Sequence, residues 1–273
     1  MEDPTSDGGD LIARAVQEER TEPELTDQCH EGPAAEAIGR SLNALSAARR
    51  LAASRDPLER AVAAHVLGSL VDGNTANVDG ATALLDGMIQ DAIHPHLEWS
   101  IADALRLTCH PSAVEPLSKL AASKSSSVRR TVAMGLAGAI AADGDSRGVE
   151  QLVRLSADPD PTVRDWATFG LSQLDDDSEQ IRSALWDRVD DPHYNIRSEA
   201  LAALAARHER ALVDRVRAEL QTDYVGKLVV LAAAELADSA LLEPLRSLRD
   251  WWDIDPELLE RAIAASQPTV TST

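Results

Sequence analysis

The chain has 273 residues, of which 44% are hydrophobic, 26% are charged and only 3% are aromatic. Its formal net charge of −20 repels nucleic acid and anionic membranes, so we expect neither as a partner and instead expect a basic or neutral protein. No apolar run approaches the ~18 residues of a membrane helix, and the N-terminus lacks the basic region and apolar core of a secretion signal. We therefore predict a cytoplasmic protein, and its two cysteines fit a reducing compartment.

Residues 1–33 form an acidic segment with ten acids and two arginines, which supplies −8 of the net charge. Because it is rich in Asp, Glu, Gly, Pro and Thr, we predict that most of it is flexible. Inside it, Leu11, Ile12, Ala15 and Val16 have helical spacing. Two alternatives stay open: a short amphipathic turn that docks on the helices that follow, or a solvated tail.

From about residue 34 a turn followed by a helix recurs along the chain. Its clearest copy is Asp158–Leu171, in which Asp and Pro form the turn and the N-cap of a helix. Aligned on Arg164 of this copy, the equivalent positions are Arg60, Glu98, Arg129, Arg164, Arg197, Gly226 and Leu259. We call these the Arg positions. Their spacing of 29 to 38 residues is typical of a solenoid built from repeated units.

We predict about seven helix pairs between residues 34 and 266, joined by short linkers of Asp, Gly and Pro that suit antiparallel neighbours. The second helix of each pair begins near the Arg position. The predicted pairs cover residues 34–71, 78–108, 111–141, 146–174, 177–206, 209–236 and 240–266, followed by a polar tail over 267–273. The expected fold is therefore all-α, a right-handed α-solenoid.

The Asp-Pro-x-Val-Arg entry at Asp160–Arg164 and the Ala-Val-Glu-Pro-Leu partner helix at Ala113–Leu117 resemble HEAT repeats. They are most similar to the short HEAT-like repeat first described in phycobilisome lyases. The resemblance covers about residues 34–266 and is specific for the fold but not for the function.

The resemblance implies that an Arg at the Arg position forms a ladder with an acid of a neighbouring turn, such as Asp158 or Asp191. The predicted structural ladder residues are Arg60, Arg129, Arg164 and Arg197. Glu98, Gly226 and Leu259 depart from the pattern, so the ladder should break at the second repeat and toward the C-terminus.

In the family, the second helices line a concave face, and the positions one, two and five residues after the Arg position point outward from them. The candidate partner-binding residues at these positions are His65, Trp99, Asp103, Arg130, Met134, Asp165, Trp166, Phe169 and Glu199, with Ser198 and Lys227 at the same register. Exposed aromatic rings beside acids fit a peptide or protein that carries Lys or Arg. The alternative is that Trp166 and Phe169 wedge between adjacent repeats. Trp251 and Trp252 are expected to seal the C-terminal end of the core.

Metal and catalytic chemistry are not predicted. One helix of ~13 residues separates His94 and His96 from Cys109 and His110, which places the two groups about 20 Å apart. A zinc ion needs each of its ligand atoms within ~2.3 Å of the ion, so these residues cannot share one. Of the His-Glu pairs typical of deoxyhypusine hydroxylase, only two occur, at residues 30–31 and 208–209.

We therefore predict a non-enzymatic scaffold or adaptor, monomeric in isolation and without a cofactor, that binds a partner protein on its concave face. The alternative is a protein of the bilin lyase type, or a chaperone, that binds a chromophore or its acceptor protein. A third alternative is a structural regulator held in a larger complex through its convex face.

Overall fold

The computed structural model describes residues 4–21, 33–41, 43–72, 75–92, 94–140 and 146–268. Across these residues the secondary structure consists of α-helices and short 3-10 turns, without a strand. The chain divides into two compact units, Met1–Gly170 and Leu171–Thr273.

The first unit holds two leading helices and four helix pairs. The leading helices are α1 (Pro4–Thr21) and α2 (Pro33–Gly39), and the pairs are α3 (Ala44–Ala52) with α4 (Pro57–Val71), α5 (Val78–Ile89) with α6 (Pro95–Leu107), α7 (Val114–Leu120) with α8 (Ser126–Ile140), and α9 (Ser146–Leu155) with α10 (Pro161–Ser172). The second helices α4, α6 and α8 contact one another in a row, and the first helices α3, α5, α7 and α9 do the same. Each pair therefore packs on its neighbours in sequence, as in a repeat array.

The second unit repeats this arrangement with three further pairs. They are α11 (Glu179–Trp186) with α12 (Tyr194–Ala206), α13 (Val213–Leu220) with α14 (Lys227–Leu236), and α15 (Leu242–Leu248) with α16 (Pro256–Ala265). Helix α14 contacts both α12 and α16. The described residues thus contain seven pairs, one within each predicted range, and the fold class is an all-α solenoid.

The Asp-Pro motif explains where several second helices begin. Asp56 Oδ1 accepts a hydrogen bond of 2.9 Å from the backbone N–H of Leu58, and Pro57 occupies the first turn, where a missing N–H costs little. Asp255 caps α16 in the same way, through a 3.0 Å bond from the N–H of Leu258.

Small and branched apolar residues let the helices pack closely. Residues 61–64 of α4 are fully buried, and so are Leu67 and Leu105, each of which contributes about 2 kcal/mol of hydrophobic stabilisation. Gly39 ends α2 where an added Cβ would overlap the Cβ atom of Ser69 on α4. Only glycine allows α2 to approach α4 this closely.

Within the acidic segment, residues 4–21 form the 18-residue helix α1. This helix contacts α2 and α4, Ala15 is 2% exposed, and Glu18 Oε2 accepts a 3.1 Å hydrogen bond from the N–H of Ala34. Of the two alternatives left open by the sequence, the structure has the docked one. Residues 22–32 lie outside the described part of the chain.

The two C-terminal tryptophans differ from each other. Trp252 is 4% exposed and its Nε1–H donates a 2.6 Å hydrogen bond to the carbonyl of Val225, whereas Trp251 is 49% exposed. Trp252 therefore covers the apolar end of the repeat array, and the same expectation for Trp251 is wrong.

Candidate functional site

Arg129 and Asp158 link consecutive repeats at the Arg position. Arg129 Nε lies 2.7 Å from Asp158 Oδ2 and its second terminal nitrogen lies 2.8 Å from Oδ1, so the guanidinium binds the carboxylate as a fork. Burial by itself raises the pKa of Asp158, but the bonds from Arg129 and the Asp160 N–H outweigh it and lower that pKa. Arg164, at the equivalent position of the next repeat, donates to the carbonyl of Asp158 at 3.0 Å.

The other two arginines contact the next repeat with different acceptors. Arg60 donates to the backbone carbonyls of Met88 at 2.8 Å and Asp91 at 3.2 Å. Arg197 donates from Nε to Glu219 Oε1 at 2.9 Å. Arg60 and Arg197 therefore bond to a backbone or a carboxylate oxygen of the next repeat, whereas the bond from Arg164 to the Asp158 carbonyl lies within one repeat.

Two positions that lack Arg still make a bond between repeats. Glu98 Oε2 accepts a hydrogen bond of 2.5 Å from Ser123 Oγ. The backbone N–H of Gly226 donates a 2.6 Å hydrogen bond to the hydroxyl of Tyr194. At the third such position Leu259 is 3% exposed and packs in the core.

The predicted partner-binding residues of α8 and α10 leave apolar surface accessible. Trp166 is 36% and Phe169 is 40% exposed, with ring centroids 5.8 Å apart in an edge-to-face arrangement of 87°. Asp165, Arg130 and Met134 are partly exposed. A fully inserted wedge would be buried, whereas both rings are partly accessible to solvent. We call Trp166 and Phe169 the aromatic pair.

The predicted residues of α4 and α6 are buried, which corrects the expectation that they are exposed. His65 is 4%, Trp99 is 6% and Asp103 is 9% exposed. The rings of His65 and Trp99 lie 6.1 Å apart, and Asp103 Oδ1 accepts a 2.9 Å hydrogen bond from Arg106. With the helices in these positions, none of the three residues offers its side chain to a partner.

In the second unit, too, the candidate residues differ in their exposure to solvent. Ser198 is buried, Lys227 is exposed, and Glu199 is partly exposed. Glu199 Oε1 accepts a 2.5 Å hydrogen bond from Ser172 Oγ. One carboxylate oxygen of Glu199 is thus held by the protein itself.

Helix α1 places Glu19 against the second helices α4 and α6, a contact that was not predicted from the sequence. Glu19 Oε1 lies 3.3 Å from His65 Nε2 and is also hydrogen-bonded to His96 Nε2. Burial raises the pKa of Glu19, but both histidines outweigh this effect and lower it from 4.5 to about 2. Glu19 falls four residues after Ala15, on the same helical face, which is the one signal in the sequence that could have revealed it.

The remaining histidines near α6 serve as helix caps. The Nδ1 atoms of His94 and His110 accept hydrogen bonds of 3.3 Å from the N–H groups of His96 and Ser112. Within the described ranges no cluster of three His, Cys, Asp or Glu side chains can hold a metal ion. No helix among those residues is long and apolar enough to cross a membrane.

Stacked helix pairs joined by repeated contacts at equivalent positions define a helical repeat protein. Residues 81–172 and 126–205 match the family model of HEAT repeats, so this part of the chain is built from HEAT-type repeats. It is similar to Protein YibA of Escherichia coli K12, with 31% identity over 153 residues that make up 56% of this chain and 53% of YibA. The matched region thus spans about half the length of that relative.

Solved structures agree on the fold. The X-ray structure of E. coli YibA superposes with a TM-score of 0.71 at 21% identity, covering 97% of this chain and 98% of that one. A designed armadillo repeat protein in complex with the peptide (KR)4 superposes with a TM-score of 0.50 at 17% identity, covering 82% of this chain and 99% of the design. At these identities the likeness concerns architecture alone.

Proposed function

We propose that the protein is a non-enzymatic scaffold that binds a basic segment of a partner protein at the aromatic pair. The observation that carries this proposal is the exposure of Trp166 and Phe169, side by side on α10, whereas the large apolar residues of the other second helices are buried or partly buried in the part of the chain that the structure describes. Exposed aromatic rings that pack edge-to-face supply rigid contact area, which is typical of binding hot spots.

The electrostatics favour a cationic partner. Asp165 precedes the aromatic pair on α10, and the chain as a whole carries a net charge of −20. A Lys or Arg side chain can lie over the ring of Trp166 while a second cation meets the field of nearby carboxylates. The (KR)4 peptide bound by the designed armadillo protein has this chemistry, which makes it a suitable probe here.

A titration of labelled (KR)4 peptide against the full chain tests the proposal. We expect saturable binding that Trp166→Ala weakens at least tenfold, because a hot-spot residue contributes about 2 kcal/mol or more. Asp165→Asn should weaken binding less and reduce its dependence on salt concentration.

Trp251→Ala is the matched control, since it also removes an exposed tryptophan but lies in the second unit. It should leave the affinity unchanged. Equal losses in both variants would indicate unspecific binding to exposed rings, and absence of saturable binding would overturn the basic-partner proposal. A lower melting temperature for Trp166→Ala with unchanged affinity would instead support the wedge alternative.

A further inference from the structure

Two histidines from consecutive second helices meet at one carboxylate of α1. His65 belongs to α4 and His96 to the first turn of α6, and both are hydrogen-bonded through Nε2 to Glu19 Oε1. The side chains are 5%, 14% and 10% exposed for His65, His96 and Glu19. A contact so well shielded from water is stronger than a surface ion pair.

The ring of His96 depends on α1 for its hydrogen bond. Nδ1 of His96 is buried and has no hydrogen-bond partner among the described residues, so Glu19 makes the one polar contact of this ring there. Without α1, both histidine rings would present Nε2 from the row of second helices. Two such groups at hydrogen-bond distance from one point form a receptor for a carboxylate.

The rest of α1 fits the same surface as an amphipathic helix does. Ala15 is buried, Leu11, Ile12 and Val16 are partly buried, and Ala13, Arg14 and Gln17 are exposed. Beside the carboxylate remains an open cleft of about 150 Å³, lined by Glu19, Arg20, Pro57, Leu58, His94, His96 and Leu97. Helix α1 is thus bound along one face and does not fill the site completely.

We propose that His65 and His96 form a carboxylate-binding site on the second helices that takes an acidic amphipathic helix, and that α1 occupies this site in cis. The site differs from the aromatic pair in both position and charge preference. The proposal is independent of the basic partner at Trp166. Its consequence is that α1 covers His65, one of the predicted partner-binding residues, until it is displaced.

Hydrogen exchange of the full chain, followed by mass spectrometry, tests the site. Glu19→Gln keeps the size of the side chain but removes its charge, so the amides of residues 11–21 should exchange about 10- to 100-fold faster, as expected for the loss of a charged hydrogen bond. Asp10→Asn is the matched control, because Asp10 is an exposed acid on the same helix, and it should change exchange less than twofold. Unchanged exchange in Glu19→Gln would overturn the proposal.

Two further measurements test whether the effect arises from the contact between Glu19 and the histidines. His96→Gln should accelerate exchange in α1 to a similar extent, while α8 keeps its protection, which shows that the fold is intact. A peptide of residues 4–21, added to the Glu19→Gln chain, should bind and restore protection at His96, whereas the same peptide with Glu19 replaced by Gln should bind at least tenfold more weakly. Equal affinity of the two peptides would contradict a carboxylate-binding site.

Discussion

The guanidinium of Arg129 binds the carboxylate of Asp158 through two parallel hydrogen bonds of 2.7 and 2.8 Å, which join one repeat to the next. Their side chains are 15% and 7% exposed. Asp158→Asn removes the charge and leaves Arg129 without its ionic partner. We expect a loss of about 2 kcal/mol in the free energy of unfolding, measured by urea denaturation.

An exposed pair between repeats provides the control. Arg147 lies 2.9 Å from Glu115, but their side chains are 61% and 53% exposed. Glu115→Gln is the same carboxylate-to-amide change and should cost under about 0.5 kcal/mol. If both variants lose the same free energy, burial is not what makes the Arg129–Asp158 contact strong.

The docking of α1 should depend on pH below 5. The pKa of Glu19 falls from 4.5 when free to about 2 when docked, so its contribution is complete above pH 4.5 and is lost as the pH falls toward 2. The shift corresponds to about 3 kcal/mol of docking free energy. The histidines His65 and His96 bind the carboxylate, and Arg20 and His94 line the adjoining cleft.

Hydrogen exchange of α1 at pH values between 3 and 6, corrected for intrinsic rates, measures this effect. In the native chain the protection of residues 11–21 should fall steeply below pH 4.5. In Glu19→Gln it should be low and nearly flat across that range. A native profile as flat as that of the variant would show that this carboxylate does not titrate with docking.

Gly226 and Tyr194 should behave as a coupled pair. A Cβ atom at Gly226 would lie 2.8 Å from the Tyr194 hydroxyl oxygen, which also accepts the Gly226 N–H. We expect Gly226→Ala to cost about 1–2 kcal/mol and Tyr194→Phe about 1 kcal/mol. In the double variant the costs should be less than additive, because removing the hydroxyl relieves the clash. Strict additivity in urea denaturation would contradict the contact.

Ala237 adopts a left-handed backbone conformation where α14 ends, with φ 49° and ψ 42°. Glycine has no Cβ penalty there, so Ala237→Gly should stabilise the protein by about 0.5–1 kcal/mol. Ala218→Gly on the exposed side of α13 is the control. It makes the same substitution inside a helix, so it should destabilise the protein by a similar amount. Thermal melting distinguishes the two signs, and a loss of stability in Ala237→Gly would contradict the argument.

Much of the fold could be predicted because it repeats. A local motif of Asp, Pro, Val and Arg, copied fully or in part at intervals of about 33 residues, indicates where many of the turns lie and where the next helix begins. The resemblance to HEAT repeats implied that an Arg such as Arg129 pairs with an acid of a neighbouring turn such as Asp158, and the structure places Arg129 Nε 2.7 Å from Asp158 Oδ2 although 29 residues separate them. Local signals determine local structure, and in a solenoid nearly all contacts link adjacent repeats.

The rest depended on contacts that do not repeat. The composition of the segment around Glu19 is typical of a flexible chain. Nothing near Glu19 in the sequence indicates that it binds His65 and His96, so its docking could not be predicted. Burial of His65 and Trp99 could not be expected for the same reason. Gly226 occupies an Arg position but has no side chain, and its backbone N–H bonds to the Tyr194 hydroxyl instead. A pattern of side chains in the sequence does not reveal a contact made by the backbone.

Helix α1 is synthesised well before its binding site exists, because Glu19 precedes His96 by 77 residues. At about 5 to 20 residues per second, the nascent chain waits roughly 4 to 15 s for α6 to emerge from the ribosome. During that time the apolar face of α1 stays in water. The excess of acids gives the first 33 residues a net charge of −8, and repulsion between like charges opposes self-association of such a segment until α4 and α6 have folded.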